Sequence, residues 1–273
     1  MKKQKTYRTM KYLLLLFLAL VYLIPVVMMV LGSLKTQSQA LQFDLSWPRE
    51  FLWSNYTYVL KRGNILNGYK NSIIITGCAT FLVILCGAFA GILIGRRYDK
   101  RAKGLYYFFL LGLTMTMQTA STFALLKTLH IYGSLLAVIC IYVGLRMPFT
   151  VMTFSSFVKG IPREIDEAAI VDGCGLLNLT LRILVPILKP IMITNLVVTA
   201  ISVWNDFMLP LFFLNSSRKW TVPLTIYNFF GMYARDWNYV FAALTLTILP
   251  ILVLYLFLQK YIVEGMTSGA VKG

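Results

Sequence analysis

Six stretches of about 20 apolar residues dominate this chain, at residues 13–34, 72–95, 105–126, 134–157, 187–212 and 240–262. At 1.5 Å per residue, a helix of that length crosses a hydrocarbon core of about 30 Å. Backbone polar groups in lipid must be satisfied within the segment, so an all-α integral membrane protein with six transmembrane helices is predicted. Charge content agrees: 13% of the 273 residues are charged, against about 25% in soluble domains. The first stretch follows Lys2, Lys3, Lys5, Arg8 and Lys11, as a secretory signal would. It is longer than a signal's apolar core, and GSLKTQSQA after it is a poor cleavage context, so it reads as a retained span.

With six spans, both ends of the chain share a side. Of the 26 Lys and Arg, sixteen fall at the termini and in segments 96–104 and 158–189, nine fall in the opposite loops, and Arg146 lies inside a span. The dense clusters, RRYDKRAK at 96–103 and the N-terminus, place both termini and the 158–189 loop on the cytoplasmic side of the membrane. The net charge of +16 is thereby explained by loops facing lipid and cytoplasm, with no nucleic-acid partner. The outer loops, 35–71, about 127–133 and 213–239, are too short for an ordinary folded domain. The chain divides into a tail, first span and external loop (1–71), a five-helix core (72–262) and a cytoplasmic tail (263–273). Cys78, Cys86, Cys140 and Cys174 have no paired spacing and read as small buried hydrophobes, without disulfide or metal.

The 158–189 loop concentrates charge in EIDEAAIVDGCGLLNLTLRILVPILKP, residues 164–190. Pro162 suits a first helical turn, and Glu164, Asp166 and Glu167 suit the positive end of the helix dipole. Gly173 and Gly175 end that helix, Asn178 is an N-cap for a second, and Pro186 and Pro190 mark its end. As a catalytic site the cluster lacks a base, since the single histidine, His130, falls on the opposite side. As a metal site it lacks a second group of ligands. A charged helix edge with small Ala168 and Ala169 suits docking into a groove of another protein; a solvated loop is the plain alternative.

Glu167-Ala168-Ala169, three residues ending in Asp172, Gly173, nine residues, Ile183 and Pro186 resemble the E-A-A-x3-G-x9-I-x-L-P loop of permease subunits of type I ABC importers. The chain departs from it at Val185, where the pattern has leucine. Pro48 followed by Asn55-Tyr56, Asn71-Ser72, WNDF at 204–207, TVPL at 221–224 and EGMTSGAVKG at 264–273 resemble the carbohydrate branch, in particular the smaller permease of maltose-type systems. The resemblance implies that fold in a bacterial cell membrane, with a cytoplasmic coupling helix. Glu167 would contact an ATPase subunit, Ala168 and Ala169 would permit close approach, and Gly173 would make the turn. Ser268, Gly269, Ala270, Val271, Lys272 and Gly273 would form a tail reaching between the ATPase subunits; the plain alternative is a disordered end. The external 213–239 loop would reach toward a binding-protein cleft. Implied partners are a second permease in a heterodimer, two ATPase subunits, an extracellular or periplasmic solute-binding protein, and membrane lipid.

No G-x-x-x-x-G-K-[ST] phosphate loop occurs in the chain, so it is not expected to be an enzyme. It needs no cofactor of its own, with ATP and Mg held by the partner ATPase. For the path, Asn195, Thr199, Ser202 and Asp206 recur on one face of the fifth span, and Thr114, Gln118 and Ser121 on the third. Such stripes line a wet passage or bond a neighbouring helix. Arg146, deep in the fourth span, needs a partner or a cavity, and Asp206 is a candidate. Trp204 suits stacking on a sugar ring or an interfacial belt. Pro25 and Pro250 remove backbone donors inside spans and are expected to kink them. Expected function is thus carbohydrate import, with a peptide, polyamine or phosphonate permease as the near rival. An ion-coupled secondary transporter would need more deep charges than Arg146, and a membrane enzyme would need a catalytic pair at matched depth.

Overall fold

The structure is a computed structural model that describes residues 2–229 and 236–270. Among these residues every regular element is helical. We label the longer ones α1 (Lys2–Ser33), α2 (Ser54–Arg62), α3 (Ile65–Arg96), α4 (Lys100–Thr114), α5 (Thr119–Thr128), α6 (Leu135–Lys159), α7 (Glu164–Val171), α8 (Leu176–Ile187), α9 (Lys189–Trp204), α10 (Met208–Phe213) and α11 (Trp237–Ala270). Among the described residues, four helices are long and apolar enough to span a membrane unbroken: Met10–Ser33 of α1, α3, α6, and Trp237–Phe257 of α11. Pro25, Pro250 and an additional Pro148 lie inside α1, α11 and α6, and each helix runs on through its proline.

The third and fifth spans expected from the sequence are not single rods. The α4–α5 pair bends by 118° and the α8–α9 pair by 70°, so six crossings result if each bent pair is one span. The break at 115–118 contains neither Gly nor Pro. It follows Thr114, whose hydroxyl donates to the Leu111 carbonyl at 2.8 Å, and Met115 and Gln118 take extended backbone conformations. Threonines at 114, 116 and 119 disfavour helix through their stiff side chains and competing hydroxyls. Thr114, Gln118 and Ser121 therefore do not share a helical face. Past α9 the helix stops at Trp204, and Pro210, which cannot donate to the Asp206 carbonyl, lies in the next helix. Asp206 instead caps α10, its Oδ1 accepting from Met208 N at 2.9 Å and Leu209 N at 3.3 Å.

Two compact units are formed, residues 1–66 with 222–250, and residues 67–221 with 251–273. In the first, the end of α1 is tied down by a polar knot. Asn55 Nδ2 donates to the carbonyls of Ser33 and Lys35 at 2.9 and 3.0 Å, and the Ser33 and Tyr56 hydroxyls are 2.6 Å apart. This is the local job of the Asn55-Tyr56 pair. Lys35, fully buried, donates to Asp44 Oδ1 at 2.5 Å and to Ser46 Oγ at 3.1 Å. The lysine and then the serine hold the Asp44 carboxyl below the usual carboxylate range.

In the second unit, α3 and α6 run side by side at close approach. Gly87, Gly91 and Gly95 face Thr150, Phe154 and Val158, each set stepping by four residues. A Cβ at Gly87 would lie 2.6 Å from Thr150 Cγ2, one at Gly95 2.5 Å from Val158 Cγ1, and one at Gly91 would overlap Phe154 Cβ. The absent side chains let the two backbones approach, the usual device where lipid offers no hydrophobic drive between helices. Asn71 Nδ2 donates to the carbonyls of Arg218 and Trp220 at 2.9 and 3.0 Å, pinning the segment after α10 to α3. Cys78, Cys86 and Cys140 lie exposed on the helix surfaces, not buried as expected. Of the 213–239 loop, residues 230–235 lie outside the described residues; Val222 to Thr225 are buried.

Candidate functional site

The acid-rich segment folds as the two-helix loop expected from its sequence. Helix α7 starts after Arg163 and ends at Asp172, its C-cap, with Gly173 turning the chain at φ +78° and Cys174 N donating to the Ala169 carbonyl at 2.9 Å. That left-handed conformation favours glycine over residues with a Cβ. The following helix begins differently from expectation. Gly175 is its N-cap in extended conformation, Asn178 makes no capping bond, and Leu179–Leu184 is wound as a π-helix. Chain direction there is already fixed by the Gly173 turn, so α8 starts three residues before the residue type that favours caps.

The two alanines of the motif point to opposite sides. Ala169 is 6% exposed and packs with Ile161, Leu179 and Leu184, whereas Ala168 is exposed beside Glu164, Glu167 and Val171 on the outward face. At the helix end and just past it, Val171, Leu176 and Leu177 stand 86%, 73% and 74% exposed around the Gly173 turn. Ile183 is half-buried against the same core that holds Ala169, and Pro186 is exposed. The surface is a charged helix edge ending in an aliphatic knob, a composition that fits insertion into a cleft.

Asp166 does more than favour a helix start. Arg96, at the end of α3, brings Nε within 2.8 Å of Asp166 Oδ2, donates from Nη2 to Oδ1 at 3.0 Å and from Nη1 to the Ile161 carbonyl at 2.9 Å. Arg163 Nη2 donates to the Arg96 carbonyl at 3.2 Å, and its guanidinium lies 4.4 Å from the Tyr98 ring centroid. These bonds brace α7 against a membrane-length helix. Arg96 and Arg163 were hidden within the loop-charge count that set the topology. Asp166→Ala removes charge-assisted bonds worth about 2 kcal/mol, and is expected to lower the melting temperature of the purified chain, with recovery in Asp166→Glu. Equal melting of wild type and Asp166→Ala would show that this brace does not hold α7 in place.

The expected path residues are placed apart. Asn195 and Thr199 are buried on α9, where Asn195 Oδ1 accepts from the Thr153 hydroxyl of α6 at 2.9 Å and its Nδ2 donates to the Ile191 carbonyl at 3.0 Å. Ser202 is half-buried further along α9, and Asp206 has left that helix. Gln118 is exposed in the α4–α5 break. Trp204 is buried, its ring 6.2 Å from that of Tyr69, and it borders an apolar cleft of about 530 Å³ with Thr80, Leu196 and Leu254. A second polar stripe, unread in the sequence, runs along α6 through Tyr142, Arg146, Thr150 and Thr153 at steps of four, four and three. Tyr142 is fully buried with Asp206 and Arg146 nearby, and Arg146 Nε is buried without a hydrogen-bond partner.

Ser268, Gly269 and Ala270 continue the backbone of α11, while Val271, Lys272 and Gly273 lie outside the described residues. No group of three or more His, Cys, Asp or Glu that could hold a metal occurs among the described residues.

Residues 83–268 match the family described as binding-protein-dependent transport system inner membrane component. The chain is 32% identical over 267 residues to the melibiose/raffinose/stachyose import permease protein MelC of Bacillus subtilis, covering 96% of this chain and 95% of that one. It is 32% identical over 277 residues to the multiple sugar-binding transport system permease protein MsmG of Streptococcus mutans, covering 99% of each. The arabinooligosaccharides transport system permease protein AraQ of Bacillus subtilis is 28% identical, with 98% and 96% covered. A chain of a bacterial ABC transporter involved in the import of the acidic polysaccharide alginate superposes with a TM-score of 0.83 at 18% identity, over 96% of this chain and 98% of that one, showing a shared fold.

Proposed function

The chain belongs to the family of binding-protein-dependent transport system inner membrane components, and from that membership we infer that it is the permease subunit of an ATP-binding-cassette importer for carbohydrate. Oligosaccharides are the substrate class we favour, because relatives matching nearly the whole chain are named for melibiose, raffinose and stachyose or for arabinooligosaccharides. The chain sits in the cell membrane with both termini and α7 on the cytoplasmic side, as the Arg and Lys distribution argues. It works with a second permease subunit, two ATPase subunits that bind ATP and Mg, and an external solute-binding protein.

In this reading the outward face of α7, with Glu167 and Ala168, and the knob of Val171, Leu176 and Leu177 enter a cleft on an ATPase subunit. Asp172 and Gly173 shape the turn, Ala169 and Ile183 seat the loop on its own core, and Pro186 lies at the start of the final turn of α8. Closure of the ATPase dimer then moves the helices as packed bodies between two arrangements. The observation that carries this role is the aliphatic knob, exposed at an aqueous end of a membrane protein beside a charged helix face. Thr199, Ser202, Asp206, Arg146, Trp204, Gln118 and Asn195 remain the candidate path residues, with Asn195 acting through its bond to α6. The C-terminal segment from Ser268 to Gly273 is taken, by the same family membership, as a tail that reaches the ATPase subunits.

The substrate class is tested by reconstituting the transporter with its binding protein and following ATP hydrolysis across a panel of sugars. Stimulation by one or a few oligosaccharides is expected. Stimulation by peptides or polyamines alone would reassign the substrate.

A further inference from the structure

Where α3 ends, α4 begins and α6 ends, a cavity of about 360 Å³ opens, lined by Arg97, Lys103 and Lys159 together with Tyr98, Tyr106 and Tyr107. None of its lining residues is acidic. Asp99, the adjacent carboxylate in sequence, has Oδ1 occupied in capping α4 through Ala102 N at 3.1 Å. Lys159 Nζ sits 4.6 Å from the Tyr106 ring centroid, while Arg97 and Lys103 are exposed. From Lys103 the exposed face of α4 continues at intervals of four through Tyr107 to Leu111, with Phe108 alongside. Cation, amphipathic ring and aliphatic side chain thus follow in the order of polarity found from water, through the interface, into hydrocarbon.

We propose that this cavity holds the phosphate-bearing headgroup of an anionic phospholipid, with its acyl chains lying along the Tyr107–Leu111 face of α4. The proposal rests on the orientation inferred above, which puts the cavity at the cytoplasmic leaflet, where anionic lipid attracts basic juxtamembrane segments. Three cations around one concavity suit a phosphate, and the apolar flank distinguishes a lipid from free phosphate. The site also touches the coupling machinery. Tyr98, in its wall, carries the Arg163 guanidinium, Arg163 bonds the Arg96 carbonyl, and Arg96 holds Asp166 of α7. A bound headgroup steadies the turn between α3 and α4 against which the coupling helix is braced.

The test uses the assembled transporter in nanodiscs containing phosphatidylglycerol or phosphatidylcholine with the same photoreactive acyl chain, and maps labelled peptides. Phosphatidylglycerol is expected to label residues 100–111 and phosphatidylcholine to label them far less. Each cation removed weakens attraction to the anionic lipid about fivefold, so Arg97→Gln with Lys103→Gln lowers labelling about 25-fold. Among the described residues neither side chain has a hydrogen-bond or ion-pair partner, and unchanged co-purification of the other subunits verifies assembly. Excess inorganic phosphate is expected to leave the labelling intact. Equal labelling by the two lipids, equal labelling of wild type and variant, or displacement by inorganic phosphate would each overturn the lipid site. So would labelling that arises only after the ATPase subunits are stripped, since the cavity would then seat an acidic protein surface. Orientation is read separately, by reaction of Lys103→Cys, in a background with the native cysteines replaced by serine, with an impermeant thiol reagent from either side. Reaction from the outer side would refute the orientation without touching the lipid contrast.

Discussion

Gly173→Val is expected to abolish sugar uptake while leaving the chain in the membrane at its normal level. The φ of +78° at this position is a region that a β-branched residue enters only at a cost of roughly 1–2 kcal/mol. A Cβ there meets nothing within 4 Å, so the fold itself has no steric objection. Strain falls on the turn alone, which sets the angle between Glu167 and Ala168 on α7 and the exposed Leu176 and Leu177 after it. Gly173→Asn separates this cause from the mere presence of a side chain, because asparagine tolerates the left-handed region. Uptake lost in the valine variant, largely kept in the asparagine variant, and ATPase subunits no longer co-purifying with the first would match expectation. Normal uptake by Gly173→Val would dismiss α7 as the coupling element.

A second large effect is expected from Gly91→Leu, for the opposite reason. Its Cβ would overlap Phe154 Cβ and lie 3.0 Å from the backbone nitrogen of Ser155, atoms that cannot yield without moving α6. Overpacking of this kind costs about 1–3 kcal/mol, with more where backbone rather than side chain must shift. Thermal denaturation of the detergent-solubilised chain should show the loss, and uptake should fall with it. Gly144, on α6 itself, has open space around the position of a Cβ, so Gly144→Leu is expected to leave the melting temperature unchanged. Equal melting of the two variants would mean that the glycine ridge does not hold α3 to α6.

The parts of this fold that were legible in the sequence are those decided locally. The acids after Pro162 and the glycine at 173 specified a helix and its stop within a dozen residues. The apolar lengths likewise predicted helices, but length cannot say whether a span is straight. Asp206 was read onto the face of Asn195, Thr199 and Ser202 by counting through a helix that ends at Trp204. Pro210 carried a cue to that break, since it removes the hydrogen bond to the carbonyl four positions earlier. The break after Thr114 has only its clustered threonines to announce it, a weak cue beside a strong apolar pattern. Arg96 and Asp166 lie 70 residues apart, and neither composition nor spacing pairs them before the fold does. The stripe of Tyr142, Arg146 and Thr153 was readable by the same periodicity that found the others.

The ridge of Gly87, Gly91 and Gly95 against Thr150, Phe154 and Val158 repeats every four residues on both helices, which has a mechanical meaning. Teeth cut at equal pitch engage only in whole steps, here about 6 Å of helix rise. Any smaller slide would drive a bulky side chain onto a glycine's neighbours. During a transport cycle α3 and α6 therefore behave as one keel, and Arg96 at its end keeps α7 in step with it. The joints belong elsewhere, at the bends near 115–118 and Leu188, where no such gearing fixes one segment to the next.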